Sequence, residues 1–91
     1  MSTLDENIKS TLLYHLRKKR VMSGVHTHYD TLKKGFPKHL GKDIEKIADK
    51  LIRDGWLLAK STNYGLQVSL NKEKLQEIEA FVEKVMGYKF E

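Results

Sequence analysis

Between Leu40 and Ile52 the apolar residues Leu40, Ile44, Ile47, Ala48, Leu51 and Ile52 recur at the spacing that gathers them on one side of an α-helix. Gly55 comes next, where a C′ glycine would close that helix. No other feature constrains the chain as strongly, because the apolar side must be buried and the rest of the chain must supply its cover. Directly after it the period changes. Trp56-Leu57-Leu58-Ala59-Lys60 reads as a strand, and Ser61-Thr62-Asn63-Tyr64-Gly65 as a turn built from residues that tolerate positive φ. Leu66, Val68 and Leu70 then alternate with Gln67 and Ser69, which predicts a half-buried return strand and hence a hairpin.

The remaining segments fall around this unit. Thr3-Leu4-Asp5-Glu6 has the form of a capping box, and Ile8, Leu12, Leu13 and Leu16 mark the buried stripe of a first helix. Arg17-Lys18-Lys19-Arg20 ends it with cations suited to the negative end of the helix dipole. Gly24 interrupts the next segment, Val21 to His28, where a short strand is expected around Val25 to Thr27. Thr27-His28-Tyr29-Asp30 resembles a second capping box, opening a short helix through Leu32 to about Lys34, which Gly35 and Pro37 stop. Asn71 is a good N-cap for a last helix whose apolar residues are Leu75, Ile78, Phe81, Val82, Val85 and Met86. The tail Tyr88-Lys89-Phe90 is apolar enough to pack.

The expected order is helix, short strand, helix, turn, helix, hairpin, helix. A short helix turned tightly into a longer one, with a hairpin immediately after, is the winged helix-turn-helix order. The expected fold is therefore α+β, mostly α: a three-helix core, a two- or three-stranded β-wing and a C-terminal helix, forming one domain over residues 1–91.

Ninety-one residues with 40% hydrophobic side chains build one core and leave little room for a buried multi-residue active site. Cysteine is absent, so there is neither a disulfide framework nor a thiolate metal site. Asp5, Glu6 and Lys9 stand where a secretory signal needs an apolar run, and no apolar stretch approaches the roughly 18 residues of a membrane span. A cytoplasmic protein with no membrane partner is expected. The net charge is +5 and unevenly placed. Residues 1–60 hold 13 Lys/Arg against 7 Asp/Glu, whereas residues 61–91 hold 4 against 5. Such an excess suits either a face that meets a polyanion or a solubilising surface.

At 100° per residue the solvent side of the third helix, over 41–54, carries Lys42, Lys46, Asp49 and Arg53, with Lys50 on its flank. A helix entering the major groove presents its N-terminal half to base edges and its flanks to phosphate. Lys38, His39, Lys42, Asp43 and Lys46 would then lie nearest the bases, and Lys33, Lys34, Lys50 and Arg53 nearer the backbone. At the hairpin, over 60–65, Lys60, Ser61, Thr62, Asn63 and Tyr64 can hydrogen-bond phosphate or enter a minor groove, or simply make the turn. Asp43, Glu45, Asp49 and Asp54 are interspersed with the lysines, a pattern that a merely solvated face would also show.

Catalytic motifs are missing: no G-x-S-x-G, P-loop or H-E-x-x-H occurs, so no enzyme and no cofactor is expected. His26 and His28 would share one face of a strand, with His39 distant and no carboxylate spaced to complete a metal set. Trp56 opens a strand and reads as core rather than as a platform for bases.

The stretch from Phe36 to Leu70, about 35 of the 91 residues, resembles small archaeal winged-helix proteins. Leu51-Ile52-Arg53-Asp54-Gly55-Trp56-Leu57 is similar to the helix end of MarR-type regulators, where a leucine, a charged pair and a glycine precede a hydrophobic strand. The resemblance implies DNA binding by the third helix and wing, for transcription regulation. The chain lacks the long flanking helices that build the MarR dimer and its ligand pocket.

Double-stranded DNA is thus the expected partner. A protein-interaction adaptor and an RNA-binding winged helix are the competing readings. Phe81, Val85, Met86, Tyr88 and Phe90 exceed the needs of a small core; they either support a homodimer through the first and last helices or cover the first helix within one subunit.

Overall fold

The amphipathic stretch forms α2 (Gly41–Arg53), with Ile44, Ile47, Ala48 and Leu51 buried and Leu40 and Ile52 half-buried beside them. Its end is a Schellman motif. Trp56 N–H donates to the Leu51 carbonyl at 2.9 Å and Gly55 N–H to that of Ile52 at 3.1 Å, with Gly55 at φ +82°. A side chain would be strained there, so the glycine is what lets the chain leave α2 for the sheet.

The structure, a computed structural model, describes residues 3–90. Around α2 lie α1 (Thr3–Lys18), β1 (Thr27–His28), a 3₁₀ helix (Tyr29–Lys33), a 3₁₀ turn (Lys38–Leu40), β2 (Leu57–Thr62), β3 (Gly65–Leu70), a 3₁₀ turn (Lys72–Lys74) and α3 (Leu75–Met86). The fold is small, α+β and mostly helical, with three α-helices and one three-stranded antiparallel sheet of order β1-β3-β2 among the described residues. No described helix is long and apolar enough to cross a membrane.

Strand β3 is central. Leu57 pairs with Leu70 and Ala59 with Val68 on one side, while Thr27 and His28 pair with Val68 and Gln67 on the other. Leu57, Val68 and Leu70 point into a cluster with Ile8, Leu12, Leu13 and Leu16 of α1, the buried face of α2, and Ile78 and Val82 of α3. Each such side chain, fully withdrawn from water, contributes about 1.5–3 kcal/mol before chain entropy is subtracted. α1 packs against both α2 and α3 and holds the layers together.

Several local expectations shift. Thr3 is already helical, so it does not cap α1; the residues that would do so lie outside the described range. The short strand is β1, two residues centred later than Val25 to Thr27, and Met22 adds a bridge to Leu70. Thr27 belongs to that strand and caps nothing, and the segment after it is 3₁₀ rather than α, ending at Lys33. Five residues before Gly35 and Pro37 are too few to offset the cost of α-helix nucleation, whereas i→i+3 bonds fit a short connector.

α2 itself ends at Arg53, with Asp54 as its C-cap. Trp56 lies in the turn before β2. The hairpin turn is shorter than expected: β2 runs on to Thr62, and only Asn63 and Tyr64 stand outside the ladder. Gly65 alone takes positive φ there, at +107°. Leu66 is 37% exposed because the hairpin reaches beyond the core, whereas Ser69, expected on the solvent side, is buried. Asn71 caps the 3₁₀ turn Lys72–Lys74 and only through it α3.

The apolar excess at the C-terminus is taken up largely within the chain. Tyr88 and Phe90 pack on Tyr14 of α1, with ring centroids 4.9 and 6.1 Å away, and Phe81 meets Trp56 edge-on at 5.9 Å. Met86 stays exposed.

Candidate nucleic-acid interface

The buried stripe of α2 fixes what the helix shows to solvent. Lys42, Lys46, Lys50 and Arg53 are all exposed, and among the described residues none of them lies within 4.0 Å of a carboxylate. Thirteen residues at about 1.5 Å each make a rod of about 20 Å, and its width of about 10–12 Å matches a major groove about 12 Å wide. Lys38 and His39, both exposed, extend the same end of the helix through the preceding 3₁₀ turn. Asp43 is half-buried on the flank.

The acidic residues of α2 are handled differently. Glu45 is paired with Lys33 of the 3₁₀ helix, and this contact raises the lysine's pKa. Lys33 is therefore committed to α2 rather than left free for phosphate. Tyr29 donates its hydroxyl to Asp49 Oδ1 at 2.6 Å and also lies 3.2 Å from the Glu45 carbonyl oxygen. Burial, together with the bond to Asp49 and its charge, pushes the tyrosine pKa upward. Asp49 is held in place by this bond, and it sits between Lys42, Lys46 and Arg53 on the outward face.

Lys46 and Lys50 lie at the edge of the exposed face of α2 nearest α1. With Lys9, Asp5 and Asp54 they rim a groove of about 180 Å³ floored by Ile47 and Leu51. The Lys9 ammonium lies 4.5 Å from the ring centroids of both Trp56 and Phe81. Its burial lowers its pKa, Asp54 opposes that shift, and Lys50 adds to it. Trp56 is thus half-buried packing for α3 and Lys9, as expected of a core residue.

The hairpin carries Lys60, Ser61, Asn63 and Tyr64 into solvent, with Tyr64 83% exposed. Thr62 is different. Its hydroxyl accepts from Tyr64 N–H at 3.1 Å and donates to the Gly65 carbonyl at 2.8 Å, so it is used in making the turn. Lys34 is exposed beside Lys19, on the surface between α1 and the 3₁₀ helix. His26 and His28 are both exposed near the sheet edge, and no described cluster of His, Asp and Glu is arranged for a metal.

The tyrosine clasp, the Lys33–Glu45 pair and the Lys9 stack had no signature in the sequence. Tyr29 precedes its two partners by 16 and 20 residues, and no periodicity links positions so far apart. Comparison with protein families, curated proteins and solved structures finds no match.

Proposed function

We propose that this protein is a winged helix-turn-helix protein that binds double-stranded DNA and regulates transcription. The observation that carries the reading is the outward face of α2: exposed Lys42, Lys46, Lys50 and Arg53 with no carboxylate partner among the described residues, on a helix sized for a major groove. The element order supports it, since the 3₁₀ helix, a tight turn, α2 and the β2–β3 hairpin succeed one another as helix, turn, helix and wing. So does the sheet, whose central strand β3 joins the wing to β1 beneath the helices.

In this reading Lys42 and Lys46 approach base edges with Lys38 and His39, while Lys34, Lys50 and Arg53 meet phosphates on either side. Lys60, Ser61, Asn63 and Tyr64 at the wing contact backbone or minor groove.

Titrating fluorescent duplex DNA across a salt series tests it. Lys42→Ala and Lys46→Ala should each weaken binding and lower the slope of log K against log salt by about 0.9 for every phosphate the variant no longer neutralises. Unchanged affinity in both variants, or binding indifferent to salt, would overturn the reading. Tighter binding of structured RNA than of duplex DNA would reassign the face to RNA.

A further inference from the structure

A second cationic surface lies away from the outward face of α2. After α3, Gly87 takes φ +72° and turns the tail back onto α1, where Tyr88 and Phe90 pack on Tyr14. Arg17, Lys18, Arg20, Tyr88, Lys89 and Phe90 together line an open cleft of about 400 Å³. Among the described residues its lining holds these cations and no carboxylate. Arg17 is committed, its Nε lying 2.7 Å from Glu79 Oε2 and its guanidinium 5.1 Å from the Phe90 ring centroid. Lys18 donates to the Tyr88 hydroxyl at 3.1 Å, which fixes its position without cancelling its charge. Arg20 and Lys89 are exposed at its rim, and among the described residues neither has an ion pair. Counting Glu91, the segments 17–20 and 88–91 carry five cationic side chains against one acidic side chain.

The dipole of α1 explains cations in its last turn, but Arg20 and Lys89 lie beyond that turn. Arg20 also occupies the C′ position of a Schellman motif at φ +54°, a left-handed conformation in which glycine would be less strained. A cation is kept there at a conformational cost. The cleft sits on the flank of α1 that meets α3 and the tail, whereas His15 on another flank meets Phe36, which leads towards α2. The molecule has 6107 Å² of accessible surface, enough for two single-module DNA contacts of roughly 600–1,000 Å² each.

From this we infer that the cleft between the end of α1 and the C-terminal tail is a second phosphate-binding surface, so that one copy of the protein holds two duplex segments at once. The inference rests on the DNA-binding reading of α2 and extends it from a single contact to a bridge.

The test uses two short duplexes, one carrying a donor dye and the other an acceptor, mixed with protein at concentrations where size-exclusion chromatography with light scattering shows a monomer. Wild type should produce energy transfer between the duplexes. The double variant Arg20→Gly, Lys89→Ala should lose that transfer at least about tenfold and keep single-duplex affinity within about threefold, with its folding checked by thermal melting. Arg20→Gly removes backbone strain along with the charge, so loss of transfer would not stem from misfolding at that residue. If wild type binds one duplex but never brings two together, or the double variant bridges as well as wild type, the inference falls and the α2 reading stands. If wild type binds no duplex, both fall.

Discussion

The side-chain amide of Asn71 donates to the carbonyl of Gly55 at 2.7 Å, while its own oxygen accepts from Glu73 N–H at 3.0 Å. Its backbone N–H donates to the Trp56 carbonyl at 2.9 Å. One residue therefore fastens the exit of α2, the base of the hairpin and the entrance to α3. The orientation of the exposed face of α2 relative to the hairpin depends on this joint.

Asn71→Ala removes the cap and leaves the half-buried Gly55 carbonyl without its donor, which should cost about 2 kcal/mol. Asn71→Asp retains the cap but points a carboxylate at that carbonyl, and should cost nearly as much. Urea unfolding of the three proteins checks this. An alanine variant as stable as wild type would show that the joint is not a source of stability.

Two helix ends use the same motif with different residues, Gly55 after α2 and Arg20 after α1. Gly55→Ala should destabilise by about 1 kcal/mol for conformational reasons alone, since an added Cβ would meet nothing within 4 Å. Arg20→Gly should stabilise by a similar amount, about 1 kcal/mol, by relieving strain. The opposite signs at equivalent positions are the result to look for in thermal melts.

Tyr29 clasps the 3₁₀ helix to α2 through Asp49, and its pKa is raised by burial and by that carboxylate. The bonded form is the protonated one. The bond's contribution to stability is therefore fully present below the ordinary tyrosine pKa of about 10 and is lost as pH rises from there through the higher folded value. Tyr29→Phe should cost about 1 kcal/mol at neutral pH. The difference in unfolding free energy between the two proteins should shrink steadily above about pH 10; a constant difference would contradict it.

Asp49 places a negative charge among the cations of α2 while accepting from Tyr29. Asp49→Asn keeps an acceptor for that hydroxyl and removes the charge. Under the proposed function, duplex DNA should bind a few-fold more tightly at low salt, with the gain fading as salt screens it beyond about 0.15 M. Weaker binding would mean that Asp49 itself takes part in recognition, for example by accepting from a cytosine amino group.

What could be read directly from the chain was local. The 3.6-residue spacing in Leu40–Ile52 settles which face of α2 is buried and so which cations face outward, and Gly55 marks its end, because these depend on neighbours a few residues apart. The alternation around Val68 likewise announces the hairpin, although its shorter turn and the buried Ser69 depend on what packs over the sheet.

Tertiary structure decided which charges are available. Lys33 is tied to Glu45, the Thr62 hydroxyl to the turn, and Arg17, read as a dipole cation, to Glu79, 62 residues away. It also turned Arg17, Lys18 and Arg20 into one wall of a cleft by bringing Lys89 and two aromatic rings against them. The amphipathic helix that most constrained the fold thus fixed its own outward face. The physical reason is that burial of an apolar stripe is encoded within one element, whereas the pairing of a charge depends on partners that only the folded chain brings within reach.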